Sequence, residues 1–510
     1  MAGQQPAGKP LDLPGILLND PVADGGTVVH SPGLGGPVPA AGIPRGAPAE
    51  LAGDGPAGTV LTGAVAGGRA RRRFLLWTGG WDAPLGIALR VDGLAVTFVL
   101  LTATVATACG LHAGVYLDAA RPWQRYFWPL FWFLWAGLNG VWLGADLFNL
   151  YVGLELTSLA AVGLVALGGR APALRASLRY LLAALLGSLL YLLGVALLYG
   201  QFGTLSLADI AALVQGPLPG AGLALLLMVL GLALKTALFP LHGWLPPAHG
   251  VAKSPVSALL SALVVKASFY VAARLWLDLG AELGSLALAQ AVGAAGATAV
   301  MVGSWQAQRQ QQLKQVVAWS SIAQIGYLFL LFPLTFEVAA PVSLQAQQGI
   351  TLQVISHALA KAAMFLAAGN LILAVRSRRV DALSGVSRFL PFSLFSFGLA
   401  GVSLMGLPPS GGFAAKWLLL QASLASGQWW WVVVLLLGGL LAAGYVFRIY
   451  RASFQEAGDN DDFYHPPRTL EAIPMILALL ALGLGLVAAP VLSIMALPFD
   501  AVPAVLESVP

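Results

Sequence analysis

Of the seven lysines in this 510-residue chain, four fall within long apolar runs: Lys235, Lys266 and Lys361 well inside theirs, and Lys416 just after a break. One carboxylate, Glu155, lies in the middle of another such run, LFNLYVGLELTSLAAVGLVAL, and Asp146 opens the same run nine residues earlier, at about the interface. His357 stands four residues before Lys361 in QVISHALAKAAMF, a spacing that places both side chains on one helix face. A charge at mid-membrane costs at least about 2.5–3.5 kcal/mol even on the lenient insertion scales, so five such groups demand a use. Snorkelling does not rescue those at mid-helix. A residue about ten positions from either end lies roughly 15 Å deep, beyond the reach of a lysine stem. A static ion pair of Glu155 with Lys235 would neutralise one lysine and leave three. The chemistry open to the set is proton transfer. Desolvation disfavours an ammonium and a nearby carboxylate favours it, so making or breaking a pair makes a lysine load or release a proton. A neutral histidine both accepts and donates, which suits His357 to a step between two lysines; a histidine bonded to a neighbouring carbonyl is the plainer alternative.

These groups must be positioned by membrane helices. The chain is 58% hydrophobic and 10% charged, against about 25% charge in ordinary globular chains, and so has too little polar surface for a watery exterior. Apolar stretches near 91–117, 126–144, 147–167, 180–200, 220–239, 255–277, 285–304, 316–334, 350–375, 390–424, 429–447 and 471–495 predict an all-α polytopic membrane protein of about 12 transmembrane helices. The single cysteine, Cys109, excludes an intrachain disulfide, an iron–sulfur cluster or a cysteine-rich zinc site carried by this chain alone. No phosphate-binding glycine loop is present. No cofactor, metal or catalytic site is expected, and the basic residues read as topology signals and not as a nucleic-acid surface. His242 and His249, which flank Trp244 with no carboxylate or cysteine close by, are expected to line a wet cavity and not to bind metal.

Alternate loops hold the arginines: Arg121 and Arg125; Arg170, Arg175 and Arg179; Lys253, Arg309 and Lys314; Arg376, Arg378, Arg379 and Arg388; Arg448, Arg451 and Arg468. The opposite loops offer only Arg274, so the Arg-rich loops are expected in the cytoplasm, with the chain in an inner or plasma membrane. Residues 1–73, rich in Ala, Gly and Pro and ending in Arg69, Arg71, Arg72 and Arg73, violate that alternation; they are expected to be disordered or to reflect a wrong start. Residues 74–120 are the lead-in and first transmembrane helix. Two apolar segments are broken, one at Pro240, Pro246 and Pro247, the other at Gly406, Pro408, Pro409, Gly411 and Gly412. Paired breaks in corresponding halves point to internal repeats around a transport site, with halves at 121–279 and 285–451 and a loop and last helix in 452–510.

The stretches DLFNLYVGLELTSL, LKTALFPLHGWLPPAHGVAKSPVSALLSALVVKASFY, QLKQVVAWSSIAQIGYL, HALAKAAMFLAAGN and SLMGLPPSGGFAAKWLLL, in this order, resemble the antiporter-like, proton-conducting membrane subunits shared by respiratory complex I (NADH-quinone oxidoreductase), membrane-bound hydrogenases and Mrp-type cation/proton antiporters. DLFNLYV is similar to the D-type branch of the Mrp subunits. The resemblance implies two inverted five-helix repeats with discontinuous helices, each giving a half-channel. By motif position Glu155 resembles the family's essential glutamate, Lys235 its paired lysine, Lys266 the central relay lysine, His357 or Lys361 the connecting residue and Lys416 the terminal ionisable group. It implies other membrane subunits as partners, protons as cargo and Na+ or K+ as candidate exchange ions. Family members usually begin with two further helices, and Pro247 stands where WLPDAH carries an acid. The expected function is a proton-translocating subunit of an NADH-quinone oxidoreductase-like complex. The rivals are a subunit of an Mrp-type Na+(K+)/H+ antiporter without redox activity, an unrelated secondary transporter, and a scaffold subunit.

Overall fold

Each of the twelve apolar stretches folds as a helix or as a broken helix pair. The computed structural model describes residues 74–78, 87–117, 122–214, 216, 220–456 and 463–496, all within one compact unit, Pro56–Pro510. The expectations for residues 1–73, with their four arginines, and for Arg121 lie outside the described residues. In chain order the elements are β1 (Phe74–Thr78), β2 (Ile87–Val91), α1 (Gly93–Tyr116), α2 (Phe127–Leu143), α3 (Leu147–Ala166), α4 (Ala171–Phe202), α5 (Leu207–Leu213), α6 (Ala221–Thr236), α7 (Leu245–Val251), α8 (Ser254–Leu259), α9 (Val265–Leu283), α10 (Leu286–Arg309), α11 (Leu313–Leu328), α12 (Leu331–Thr335), α13 (Ala340–Val375), α14 (Val386–Phe389), α15 (Pro391–Met405), α16 (Gly411–Ala425), α17 (Trp430–Ser453), α18 (Arg468–Gly483) and α19 (Ala488–Ala496). Among the described residues, eight helices are long and apolar enough to cross a membrane unaided, taking Ser254–Leu283 and Leu313–Thr335 as one span each. A ninth span would be α18 with α19, which bend by 82°. The remaining apolar stretches are the shorter α2 and the two broken pairs.

The antiparallel ladder of β1 and β2, with Phe74 opposite Val91, is invisible to a helix-length hydropathy window, because five-residue strands average out within it. α4 and α13 begin about ten residues before their apolar runs. Their leading turns are built from Ala, Leu, Gln and Arg, good helix formers that apolarity alone does not register, and both open with a proline in the first turn.

The loops sort to two ends of the bundle. Short backbone bridges join Leu89 to Gly144 and Asp146 to Ser206 at one end, and Gln312 to Arg379 at the Arg-rich end, where Arg448 also donates to the carbonyls of Gln308 and Gln310. Two of the basic residues assigned to loops from apolarity are buried inside helices. Lys314, in the first turn of α11, is buried and donates to the Ala252 carbonyl. Arg274 is buried in α9 and bonds Asp92 Oδ1 at 2.5 Å, while Arg90 reaches Asp92 at 2.9 Å and Asp278 at 2.8 Å. Asp92 also caps α1 by accepting from the Ala95 amide.

Burial alone would raise the carboxyl pKa of Asp92, but the guanidiniums of Arg274 and Arg90 outweigh it and hold it well below the usual carboxylate range. A lowered folded-state value stabilises above the ordinary value and is lost as pH falls through the folded one. Asp92→Asn therefore lowers the melting temperature at neutral pH, and the gap to the wild type narrows below an unfolded value of 3.8. Thermal unfolding of the purified complex across pH checks this; a gap independent of pH contradicts it.

Candidate functional site

The broken helices create the site by leaving backbone carbonyls without helical partners. α6 stops at Ala237, whose φ of 62° turns the chain left-handed, and α15 stops in the same way at Gly406, with φ 78°. The freed groups find side chains. Trp244 Nε1 donates to Leu234 O at 2.9 Å, and its ring stacks on Tyr180 at 4.2 Å. Lys416, on the far side of the second break, donates to Leu404 O at 3.2 Å and Met405 O at 2.9 Å and lies 4.9 Å above the Tyr327 ring.

Glu155 of α3 and Lys235 of α6, 80 residues apart, meet with Nζ 2.7 Å from Oε1. Ser188 of α4 completes a triad: its hydroxyl accepts from Lys235 Nζ at 2.5 Å and donates to Glu155 Oε1. Lys235 is nearly inaccessible at 4% side-chain exposure, whereas Glu155 retains 16%, so the pair is reached from the carboxylate side. Asp146 belongs to the architecture instead, capping α3 through the amides of Phe148 and Asn149.

The next step inward is short. Thr236, directly after Lys235, donates to Ser268 Oγ of α9 at 2.9 Å, two residues past Lys266. A cavity of about 10 Å³ lined by Lys235, Ser268, Thr157 and Tyr180 is the size of one water. Lys266 follows a π-helical turn, Leu260–Val264, and its ammonium bonds the Ser261 carbonyl within that turn. Ser261 in turn contacts Ser321 of α11, Oγ to Oγ at 2.8 Å.

On α13, Gln353, His357 and Lys361 form one stripe. Lys361 donates to Val317 O at 3.1 Å and to Ser320 Oγ of α11. Gln353 donates to Gln324 Oε1 at 2.9 Å, and Gln324 donates to Leu404 O at 3.1 Å, the carbonyl that also receives Lys416. Both nitrogens of buried His357 lack a hydrogen-bond partner among the described residues, and the ring lies where the charges of Lys266 and Lys361 act on it. His249 is equally buried, stacks on Phe365 at 4.7 Å and lies where the charges of Lys314, Lys361 and Lys266 act on it, whereas His242 is part-exposed between Phe239 and Trp319. The two histidines flanking the first break are thus in different surroundings. Among the described residues, no three His, Cys, Asp or Glu side chains gather where a metal could sit.

Ser188, Thr236, Ser268, Ser261, Ser321, Ser320, Gln324, Gln353 and Tyr327 are not found by searching for charges. Their signal is weaker: uncharged polar residues four positions apart on otherwise apolar helices, as in Ser320 and Gln324, or Gln353 and His357.

With this geometry in view, residues 144–442 match the family described as NADH:quinone oxidoreductase/Mrp antiporter, TM. The chain belongs to that family. It is 38% identical over 425 residues to the N subunit of the NADH-quinone oxidoreductase of Desulforudis audaxviator (strain MP104C), covering 81% of this chain and 83% of the relative. It is 30% identical over 416 residues to the D-type subunit of the Na(+)/H(+) antiporter of Alkalihalophilus pseudofirmus, covering 80% and 82%. The fold superposes on a chain of the Mrp complex from Dietzia sp. DQ12-45-1b with a TM-score of 0.74 at 25% identity, covering 83% of this chain and 86% of that one. The helical, multi-pass membrane architecture that this chain shares with that structure is the one that positions the buried lysines here.

Proposed function

We propose that this chain translocates protons as an antiporter-like subunit of a multi-subunit membrane complex. The observation that carries the reading is the series of buried ionisable groups Glu155–Lys235, Lys266, His357/Lys361 and Lys416, in which every lysine is bonded to polar atoms and two of them are set beside helix breaks. A lysine that loses its counter-charge in hydrocarbon gives up its proton, so displacing Lys235 from Glu155 would pass a charge change along the series. One break lies in each of two repeats, 121–279 and 285–451, each supplying one half of the route. His242 and His249 line the first break. The Arg-rich loops face the cytoplasm. Partners are other membrane subunits, in a complex of the NADH-quinone oxidoreductase type; the similarity to a subunit of an Na(+)/H(+) antiporter supports a second reading, exchange of Na+ or K+ for protons without electron transfer.

Inverted vesicles carrying the whole native complex separate the two. Proton movement is measured with NADH, and separately with an imposed sodium or potassium gradient, in wild type, Glu155→Ala and Lys266→Ala. NADH-driven pumping that both variants lose identifies a redox pump. Exchange driven by the ion gradient alone, and lost in both, identifies an antiporter. Transport unaffected by either substitution overturns proton translocation by this chain.

A further inference from the structure

α9 carries Lys266, Tyr270, Arg274 and Asp278 four residues apart, a single stripe running from the relay lysine to the Arg-poor end of the bundle. The guanidinium of Arg274 is fixed from two directions. It donates to Tyr270 OH from Nε at 3.0 Å and from Nη2 at 2.8 Å, and to Asp92 at 2.5 Å, while Tyr270 OH donates to Trp142 O at 2.7 Å. Tyr270 borders a cavity of about 40 Å³ whose lining is mostly apolar, with Gln347 and Thr351 of α13 as its other polar side chains; one water needs only about 10–15 Å³.

We propose that Arg274 is a plug that prevents protons on Lys266 from escaping to the Arg-poor end. A guanidinium stays charged and accepts no proton, and its ion pair keeps Asp92 ionised and occupied. Asp92 and Asp278 are each held by a guanidinium, so neither is free to collect a proton coming from Tyr270. The inference rests on Lys266 belonging to a proton route. A bare structural staple between β2, α1 and α9 would use the same bonds, so the deciding readout is leak and not stability.

Passive proton permeability is measured in vesicles bearing the assembled complex, with no redox substrate and no exchange ion. Arg274→Gln is expected to raise it about tenfold, the factor that a barrier lower by about 1.4 kcal/mol gives. Arg274→Gln with Lys266→Ala returns to the wild-type value. An assembled Arg274→Gln complex with no extra leak overturns the proposal, as does a leak that survives removal of Lys266. Should Arg274→Gln not assemble, Tyr270→Phe removes the hydroxyl anchor and keeps the ring; a Lys266-dependent leak supports the plug, and its absence overturns it. Failure of the functional reading is distinguishable, because it shows as driven transport indifferent to Lys266→Ala in a background where Arg274 is intact.

Discussion

Glu155→Gln cuts driven proton transport per assembled complex by about 10²–10⁴-fold. That factor corresponds to the penalty for leaving one member of a buried pair unmatched, about 3–5 kcal/mol, at about 1.36 kcal/mol per tenfold. The substitution preserves volume and can still hydrogen-bond Ser188, so the α3, α4 and α6 packing survives while the counter-charge of Lys235 disappears. Glu155→Asp separates charge from reach: it restores the charge but withdraws the carboxylate from a contact of 2.7 Å, and an intermediate rate is expected. Ser188→Ala should fall between wild type and Glu155→Gln, because its hydroxyl touches both members without carrying charge. Initial rates in inverted vesicles, normalised to complex content, check the series. A loss below about tenfold in Glu155→Gln would make the pair a structural fastening and not a step in transport.

The ionisable groups of the candidate site were legible in sequence for one reason. Hydrocarbon makes every buried charge conspicuous, so Glu155 and the four lysines stand out against 58% hydrophobic residues before any fold is known. Their connections were not legible to the same degree. Ser188, Gln324 and Gln353 carry no charge, and only the packing of α4, α11 and α13 reveals what each one touches. Arg274 shows the opposite error. Placed near the end of an apolar run, it reads as a loop residue, yet the helix continues to Leu283 and buries it against Asp92. A hydropathy profile finds where apolarity ends, and an amphipathic last turn paired with a neighbouring strand lies beyond that limit.

The contact that lets Ser188 meet Lys235 is made by two glycines, and it yields the second large effect. A Cβ on Gly231 would lie 2.3 Å from Gly187 O and 3.0 Å from Tyr191 N, and one on Gly187 would lie 2.7 Å from Gly231 O. α4 and α6 can therefore approach this closely only with hydrogen at both positions, as small residues allow between membrane helices. Ser188 follows Gly187 directly, and Lys235 lies one turn after Gly231, so any separation of the helices is felt at the triad. Gly231→Val should cost about 1–3 kcal/mol of stability through overpacking. Its transport loss should be larger than that cost implies, approaching that of Glu155→Gln. Gly296 and Gly326 form a similar approach between α10 and α11, with Cβ positions 2.5 and 2.2 Å from each other's carbonyl oxygen. Gly296→Val strains the bundle comparably but leaves Glu155 against Lys235. Melting temperature and transport per assembled complex, measured on both variants, test the distinction. Equal transport losses at equal destabilisation would mean that general packing limits the rate; a deeper loss in Gly231→Val would place the limit at the distance between Lys235 and Glu155.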